Sequence, residues 1–299
     1  MTEPAASPSN LDTSVPRDED LAGLAIAGDS HALEILLARH QSFLFNVALR
    51  MFQSRENAED ATQEVLLKIT TRLSSFRGQS AFRTWAYRIA ANHFLDCKRS
   101  AAERAVSTVG CFGAYLDRAV GEDFTGEELR SPETALLVEE AKLSCSLGVL
   151  LCLDRDQRLV FILGEIFEVG DSVGGEVTET TKDNFRQKLG RAREQVSSFM
   201  RSQCGLLDPR NPCRCTRKTK TFIRAGIVDP RRLTFLDAHV TNVRLRAPSV
   251  EPLLHETAGE LFRAQPMFAG PDLVTRLRDA IRRPEWVSIV DGDHAPEPS

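Results

Sequence analysis

Residues 54–96 read SRENAEDATQEVLLKITTRLSSFRGQSAFRTWAYRIAANHFLD. In the first half Ala58, Ala61, Val65, Ile69, Leu73 and Phe76 recur at steps of three and four, which predicts an amphipathic helix with Asp60, Gln63, Glu64 and Lys68 on another face. The second half, Ser75 to Asp96, holds five aromatic residues and three arginines in 22 positions of a chain that has only two Trp and two Tyr. Phe82, Trp85 and Ile89 fit a buried stripe. Arg83, Tyr87 and Phe94 line a different face, Arg88 and Asn92 sit one turn apart on a third, and Phe76 precedes a glycine turn. Rings on which bases stack, cations for phosphates and an amide for a base edge are what holding single-stranded nucleic acid requires. Stacking contributes about 1–3 kcal/mol per base, enough to offset opening one or two base pairs.

Outward from this stretch, helical spacing runs from Asp20 to about Arg99 with Gly28 and Gly78 as punctuation, which predicts a small helical domain. From Asp117 to Glu140 there are eight Asp/Glu against two Lys/Arg, interrupted by Gly121, Gly126 and Pro132, the texture of a flexible acidic linker. Leu143 to Met200 is helical again and ends in KDNFRQKLGRAREQVSSFM, residues 182–200. There Phe185, Leu189, Ala192, Val196 and Phe199 form a stripe that leaves Arg186, Gln187, Arg191 and Arg193 outward. Thr180 and Asp183 suggest a capping box, and the whole suggests helix-turn-helix. Beyond Cys204 the chain is Pro-containing and carries no acid from Pro209 to Val228; two short helices are predicted, around Glu251–Ala264 and Pro271–Arg282.

The chain has 299 residues, 42% hydrophobic and 27% charged, with a net charge of −4. It therefore does not coat nucleic acid by bulk electrostatics, because such affinity comes from neutralising phosphates; a nucleic-acid site has to be local or shared with a partner. No apolar run approaches a membrane span, and the Pro-, Ser- and acid-rich start reads as a disordered tail rather than a secretory signal. Seven scattered cysteines suit a reducing compartment, so a cytoplasmic protein without membrane contact is expected.

The runs AEDATQEVLLKITTRL and SFRGQSAFRTWAYRIAANHFLD resemble region 2 of bacterial RNA polymerase sigma factors of the extracytoplasmic-function (ECF) type in the sigma-70 family, and residues from Leu143 to the LGRAREQV run are similar to region 4. The tail CGLLDPRNPCRC resembles a C-terminal extension of some such factors. The resemblance implies an all-α fold: a disordered tail over 1–19, region 2 over 20–100, the acidic linker over 101–141, region 4 over 142–203, an extension over 204–285 and a tail over 286–299. It implies that Asp60, Gln63 and Glu64 dock on core RNA polymerase. Phe76 and Asn92 would border the pocket for a base flipped from the minus-ten element of promoter DNA, with Arg83, Trp85, Tyr87 and Arg88 as further contacts on that strand. Lys182, Asn184, Arg186, Gln187 and Arg191 would read the minus-35 element from the start of a recognition helix. An anti-sigma factor is a further partner compatible with the resemblance, and no cofactor is implied.

Region 4 departs from the family pattern in DSVGGEVTETTKDNF, residues 171–185. Gly174 and Gly175 occupy helical positions at roughly 1 kcal/mol each relative to Ala, and Thr178 and Thr180 replace apolar residues. These features predict that region 4 is the less stable half and binds its element weakly or with altered specificity. Cys204, Cys213 and Cys215 form a C-x8-C-x-C array that matches no common zinc pattern; His239 or His255 could complete a site, and Arg214, Arg217 and Lys218 would lower a thiol pKa. Buried or unligated cysteines are the expectation. A stand-alone helix-turn-helix regulator is the alternative function, but it leaves the acidic face and the aromatic helix without a role. A thiol enzyme finds neither a C-x-x-C nor a phosphate loop in support, and the chain is expected not to be an enzyme.

Overall fold

The computed structural model describes residues 15–99, 103–104, 108–118, 121–236 and 257–281. Among these residues the secondary structure is helical, without a named strand: α1 (Asp18–Ile26), α2 (Ser30–Phe52), α3 (Arg55–Arg72), α4 (Phe82–Asp96), α5 (Val109–Arg118), α6 (Pro132–Leu150), α7 (Arg155–Phe161), α8 (Asp171–Val177), α9 (Lys182–Gln203), α10 (Cys215–Arg224), α11 (Ala258–Arg263) and α12 (Leu273–Ile281). The all-α expectation holds.

Helices α1 to α4 form the N-terminal bundle. Asp29 caps α2 by accepting from the N–H groups of His31 and Ala32 at 2.9 and 3.1 Å, and Ser54 caps α3 through the N–H of Asn57. The N-cap position of α4 is Ala81, whose side chain cannot cap; Glu19 of α1 accepts the Phe82 N–H at 3.1 Å instead. That hydrogen bond holds the Glu19 carboxyl below its ordinary pKa. The stripe expected on α3 is buried at Ala58, Ala61, Val65, Ile69 and Leu73.

The C-terminal half packs α9 across α7 and α8. The cap of α9 lies one residue later than expected: Thr181 accepts from the Asn184 N–H at 3.1 Å, while the Thr180 hydroxyl accepts from the Asn184 side chain. Gly174 and Gly175, marked above as weak points, have a packing role. A Cβ on Gly174 would strike the Phe185 ring, and one on Gly175 would come within 3.0 Å of the Lys182 backbone nitrogen. Bare backbone here lets α9 seat directly on α8, so the lost propensity is offset by contact.

Residues 101–141 differ from a flexible linker in their described part. They supply α5, a 3-10 turn over Glu128–Arg130 and the start of α6. The reason is charge pairing with the basic helix α10: Lys220 reaches Glu122 and Glu128 at 3.4 and 3.2 Å, Arg217 reaches Asp123 at 3.2 Å, and Arg224 pairs with Glu122. Of the helices expected beyond Glu251, residues 251–256 lie outside the described residues, and the helices occupy Ala258–Arg263 and Leu273–Ile281.

The two halves meet through buried cations. Glu103, 6% exposed as a whole residue, accepts from Arg155 and Arg158, each at 2.8 Å. Arg158 also donates to the carbonyls of Met51, Leu150 and Leu153, joining the end of α2 to the end of α6. Burial draws its pKa down, against the pull of Glu103. Breaking a buried, fully bonded pair leaves the partner charge unpaired, at about 3–5 kcal/mol. Arg158→Met is accordingly expected to cost about 3–5 kcal/mol in urea denaturation; a loss of under about 1 kcal/mol, the level of an exposed pair, would contradict this role.

Candidate nucleic-acid and polymerase interface

On α3, Asp60 and Glu64 are exposed and Gln63 is half-buried, so the three face outward together. Glu64 stands 3.3 Å from His93 Nε2 of α4, whose Nδ1 meets Lys68 Nζ at 2.7 Å. Burial, then the Lys68 charge, draws the His93 pKa down despite Glu64, which favours a neutral ring accepting from the Lys68 ammonium. One residue before Asp60, Glu59 pairs with Arg55 at 3.1 Å and with Arg276 of α12 at 3.6 Å.

The aromatic helix separates into two classes. Arg83 and Asn92 are exposed, Arg88 is half-exposed, and Phe76 is half-buried at the edge of the Phe82 and Trp85 rings, 5.5 Å between centroids in each case. Trp85 and Tyr87, expected as further strand contacts, are each only 8% exposed, so neither ring lies on the surface in this conformation. Trp85 belongs to the core stripe with Phe82. Tyr87 stacks on Phe43 at 4.3 Å with its hydroxyl 3.2 Å from His40 Nδ1, and its phenol pKa is pushed up by burial. Its ring is covered because α4 is enclosed on two sides: Phe43, Tyr87, Ala90, Ala91 and Phe94 share one apolar cavity with Leu159, Leu163 and Val177 of the C-terminal half.

Arg88 and Asn92 meet one carboxylate. Asn92 Nδ2 donates to Glu179 at 3.1 Å, and Arg88 Nε lies 3.9 Å from its other oxygen. Glu179 occupies the turn between α8 and α9 with φ of 50°, the left-handed region that glycine adopts freely and that costs other residues roughly 1–2 kcal/mol.

Lys182, Asn184, Arg186, Gln187 and Arg191 are all exposed along α9. Arg186 is drawn toward Asp171, at 2.7 Å, and Asp183; the Asp171 hydrogen bond raises its pKa and keeps the cation charged.

The cysteines of the C-terminal array are not activated. Cys204, Cys213 and Cys215 line an apolar cavity with Cys145, and burial raises each thiol, Cys215 to about 12. The lowering expected from neighbouring cations is outweighed: Arg214 donates to the carbonyls of Pro209, Asn211 and Cys213, and Lys218 to that of Leu116. No group of three or more His, Cys, Asp or Glu side chains able to hold a metal occurs among the described residues; His239 and His255 lie outside them. Nor does any described helix have the length and apolarity to cross a membrane.

Residues 36–104 match the family model for Sigma-70 region 2. It is 26% identical over 188 residues to the RNA polymerase sigma-H factor of Pseudomonas aeruginosa, covering 62% of this chain and 94% of that one. It is 27% identical over 185 residues to the ECF RNA polymerase sigma-E factor of Escherichia coli K12, covering 60% and 93%. Among solved structures it resembles CnrH in complex with the cytosolic domain of CnrY, with 22% identity, a TM-score of 0.43, and coverage of 61% of this chain and 96% of that one. The two curated relatives are matched almost end to end by less than two-thirds of this chain.

Three elements of the interface escape a reading of the sequence: Glu103, Arg158 and Glu179. Each is an ordinary charged residue in one dimension, and only the approach of the two halves gives it a partner.

His40 provides a pH signature. Its Nε2 lies 3.0 Å from Asp18, which favours the charged ring, but burial is the larger effect and lowers the pKa, with Arg83 and Arg39 adding to it. A depressed histidine pKa contributes stability above the unfolded value of about 6.5 that is lost as pH falls. The melting temperature of the wild type is expected to fall more between pH 7.5 and 5.5 than that of His40→Asn; equal falls would contradict the assignment.

Proposed function

We propose that the chain is a non-enzymatic promoter-specificity subunit that binds core RNA polymerase and directs transcription initiation. In this reading residues 20–100 dock on polymerase and capture the minus-ten element, while residues 142–203 read the minus-35 element. The observation that carries it is the separation of two outward surfaces on one bundle. Asp60 and Glu64 project from α3, and Arg83, Arg88 and Asn92 project from α4 beside the half-buried Phe76.

A carboxylate pair on a rigid helix suits a basic protein partner and repels phosphate, so α3 faces polymerase. The amide of Asn92 can donate to and accept from a base edge, Phe76 offers a ring edge beside it, and Arg83 and Arg88 can meet phosphates. Trp85 and Tyr87 support that surface from beneath. On α9, Lys182, Asn184, Arg186 and Gln187 lie in the first two turns, where a helix entering the major groove places its base contacts. The net charge of −4 fits a factor that leaves most phosphate neutralisation to its partner.

Run-off transcription and pull-down with core polymerase over a promoter library test the two surfaces separately. Glu64→Ala is expected to weaken polymerase binding. Asn92→Ala is expected to leave that binding intact and reduce open complex by about 1–3 kcal/mol, or roughly 5- to 150-fold. Wild-type open complex from Asn92→Ala, or no association of the intact chain with core polymerase at low salt, would overturn the reading.

A further inference from the structure

We propose that the C-terminal segment around α11 and α12 is a strap that holds the chain in a self-occluded state, with Glu179 seated on the Asn92 and Arg88 side chains. The proposal rests on the minus-ten role given above to α4.

The geometry requires such a state to open. Two promoter elements named for positions roughly 25 base pairs apart are separated by about 85 Å along B-form DNA. Here the turn that begins the recognition helix touches the minus-ten surface: Asn92 donates to Glu179 at 3.1 Å, and Lys182 follows three residues later. One DNA molecule cannot be read by both surfaces in this arrangement. Glu179 also places a negative charge where phosphate would come, so the contact excludes DNA by charge as well as by space.

The strap spans both halves. In α11, Phe262 packs edge-to-face on Phe161 at 5.2 Å, and Arg263 pairs with the buried Glu165 of the C-terminal half. Past it, Phe268 exchanges backbone hydrogen bonds with the Asn46 side chain at 2.8 and 2.9 Å, and Arg50 of α2 donates to the Pro266 carbonyl. In α12, Arg276 reaches Glu59 and Arg278 reaches Glu34 of the N-terminal bundle at 3.6 and 3.7 Å. Glu59 neighbours Asp60, so the strap ends beside the acidic face of α3 and leaves Asp60 and Glu64 exposed. A glycine at 179 would remove the left-handed strain; the carboxylate kept there is the one that covers α4.

Two variants of the full chain test this. Arg263→Glu/Arg276→Glu/Arg278→Glu reverses the strap's surface charges, and Glu179→Gly removes the carboxylate without cost to the turn. Circular dichroism verifies folding, small-angle scattering reads compactness, and fluorescence anisotropy reads binding of a labelled random-sequence single-stranded DNA. The triple variant is expected to expand and to bind the probe more tightly. Glu179→Gly is expected to melt no lower than the wild type while tightening binding about fivefold, the low end of a one-contact coupling. Unchanged scattering of a folded triple variant, or unchanged probe binding by Glu179→Gly, overturns the strap; the function reading still stands if Asn92→Ala loses open complex with core polymerase. If Asn92→Ala is fully active, the minus-ten assignment fails, whatever the strap variants do.

Discussion

Two guanidinium groups, Arg50 and Arg158, are sealed into the seam between the halves, and the packing of the rest depends on satisfying them. Arg158 is held by Glu103 and by carbonyls from two helix ends. Among the described residues no carboxylate pairs with Arg50; it donates to the Asn46 side chain and the Pro266 carbonyl and lies between the rings of Phe167 and Phe268, 5.1 and 4.7 Å from their centroids. Burial lowers its pKa to about 10, which still leaves it charged at neutral pH. A buried cation is tolerated only while its partners stay in place. Asn46, Phe167 and Phe268 come from the bundle, the C-terminal half and the strap, so Arg50 makes the three parts interdependent.

The same seam makes separation feasible. Charges drawn out of a buried site regain hydration, which offsets part of what the lost contacts contributed. The apolar layer of Phe43, Tyr87, Leu163 and Val177 has no such compensation and sets the cost of opening. A partner that binds the open form better supplies that cost through its differential affinity. The acidic face of α3 and the cations of α9 remain outward in the closed form, whereas the α4 surface is partly covered by the Glu179 turn. Partner docking can therefore precede capture of an unpaired base.

Much of the fold was readable from local pattern. The α3 stripe, the all-helical character and the α9 stripe follow from 3.6-residue spacing, with Met200 buried at the end of α9 in place of the expected Phe199, and the exposure of Asp60, Glu64 and Asn92 follows from their lying off the stripes. The burial of Trp85 is legible in its stripe with Phe82, whereas that of Tyr87 is not, because the second covering layer over its face of α4 arrives from residues 159–177, far along the chain. Gly174 and Gly175 looked like defects because propensity registers the missing side chain and not the Phe185 ring that fills its place. The acidic segment looked flexible because its counter-charges, Lys220 and Arg224, lie about 100 residues away.

Hydrogen exchange of the intact chain, alone and bound to core RNA polymerase, tests the central claim most directly. Binding is expected to slow exchange at exposed amides around the α3 face and to speed it in α8 and the Glu179 turn as the halves part. Protection at α3 with no increase at α8 would contradict opening on docking, and no change at α3 would contradict the polymerase-binding face itself.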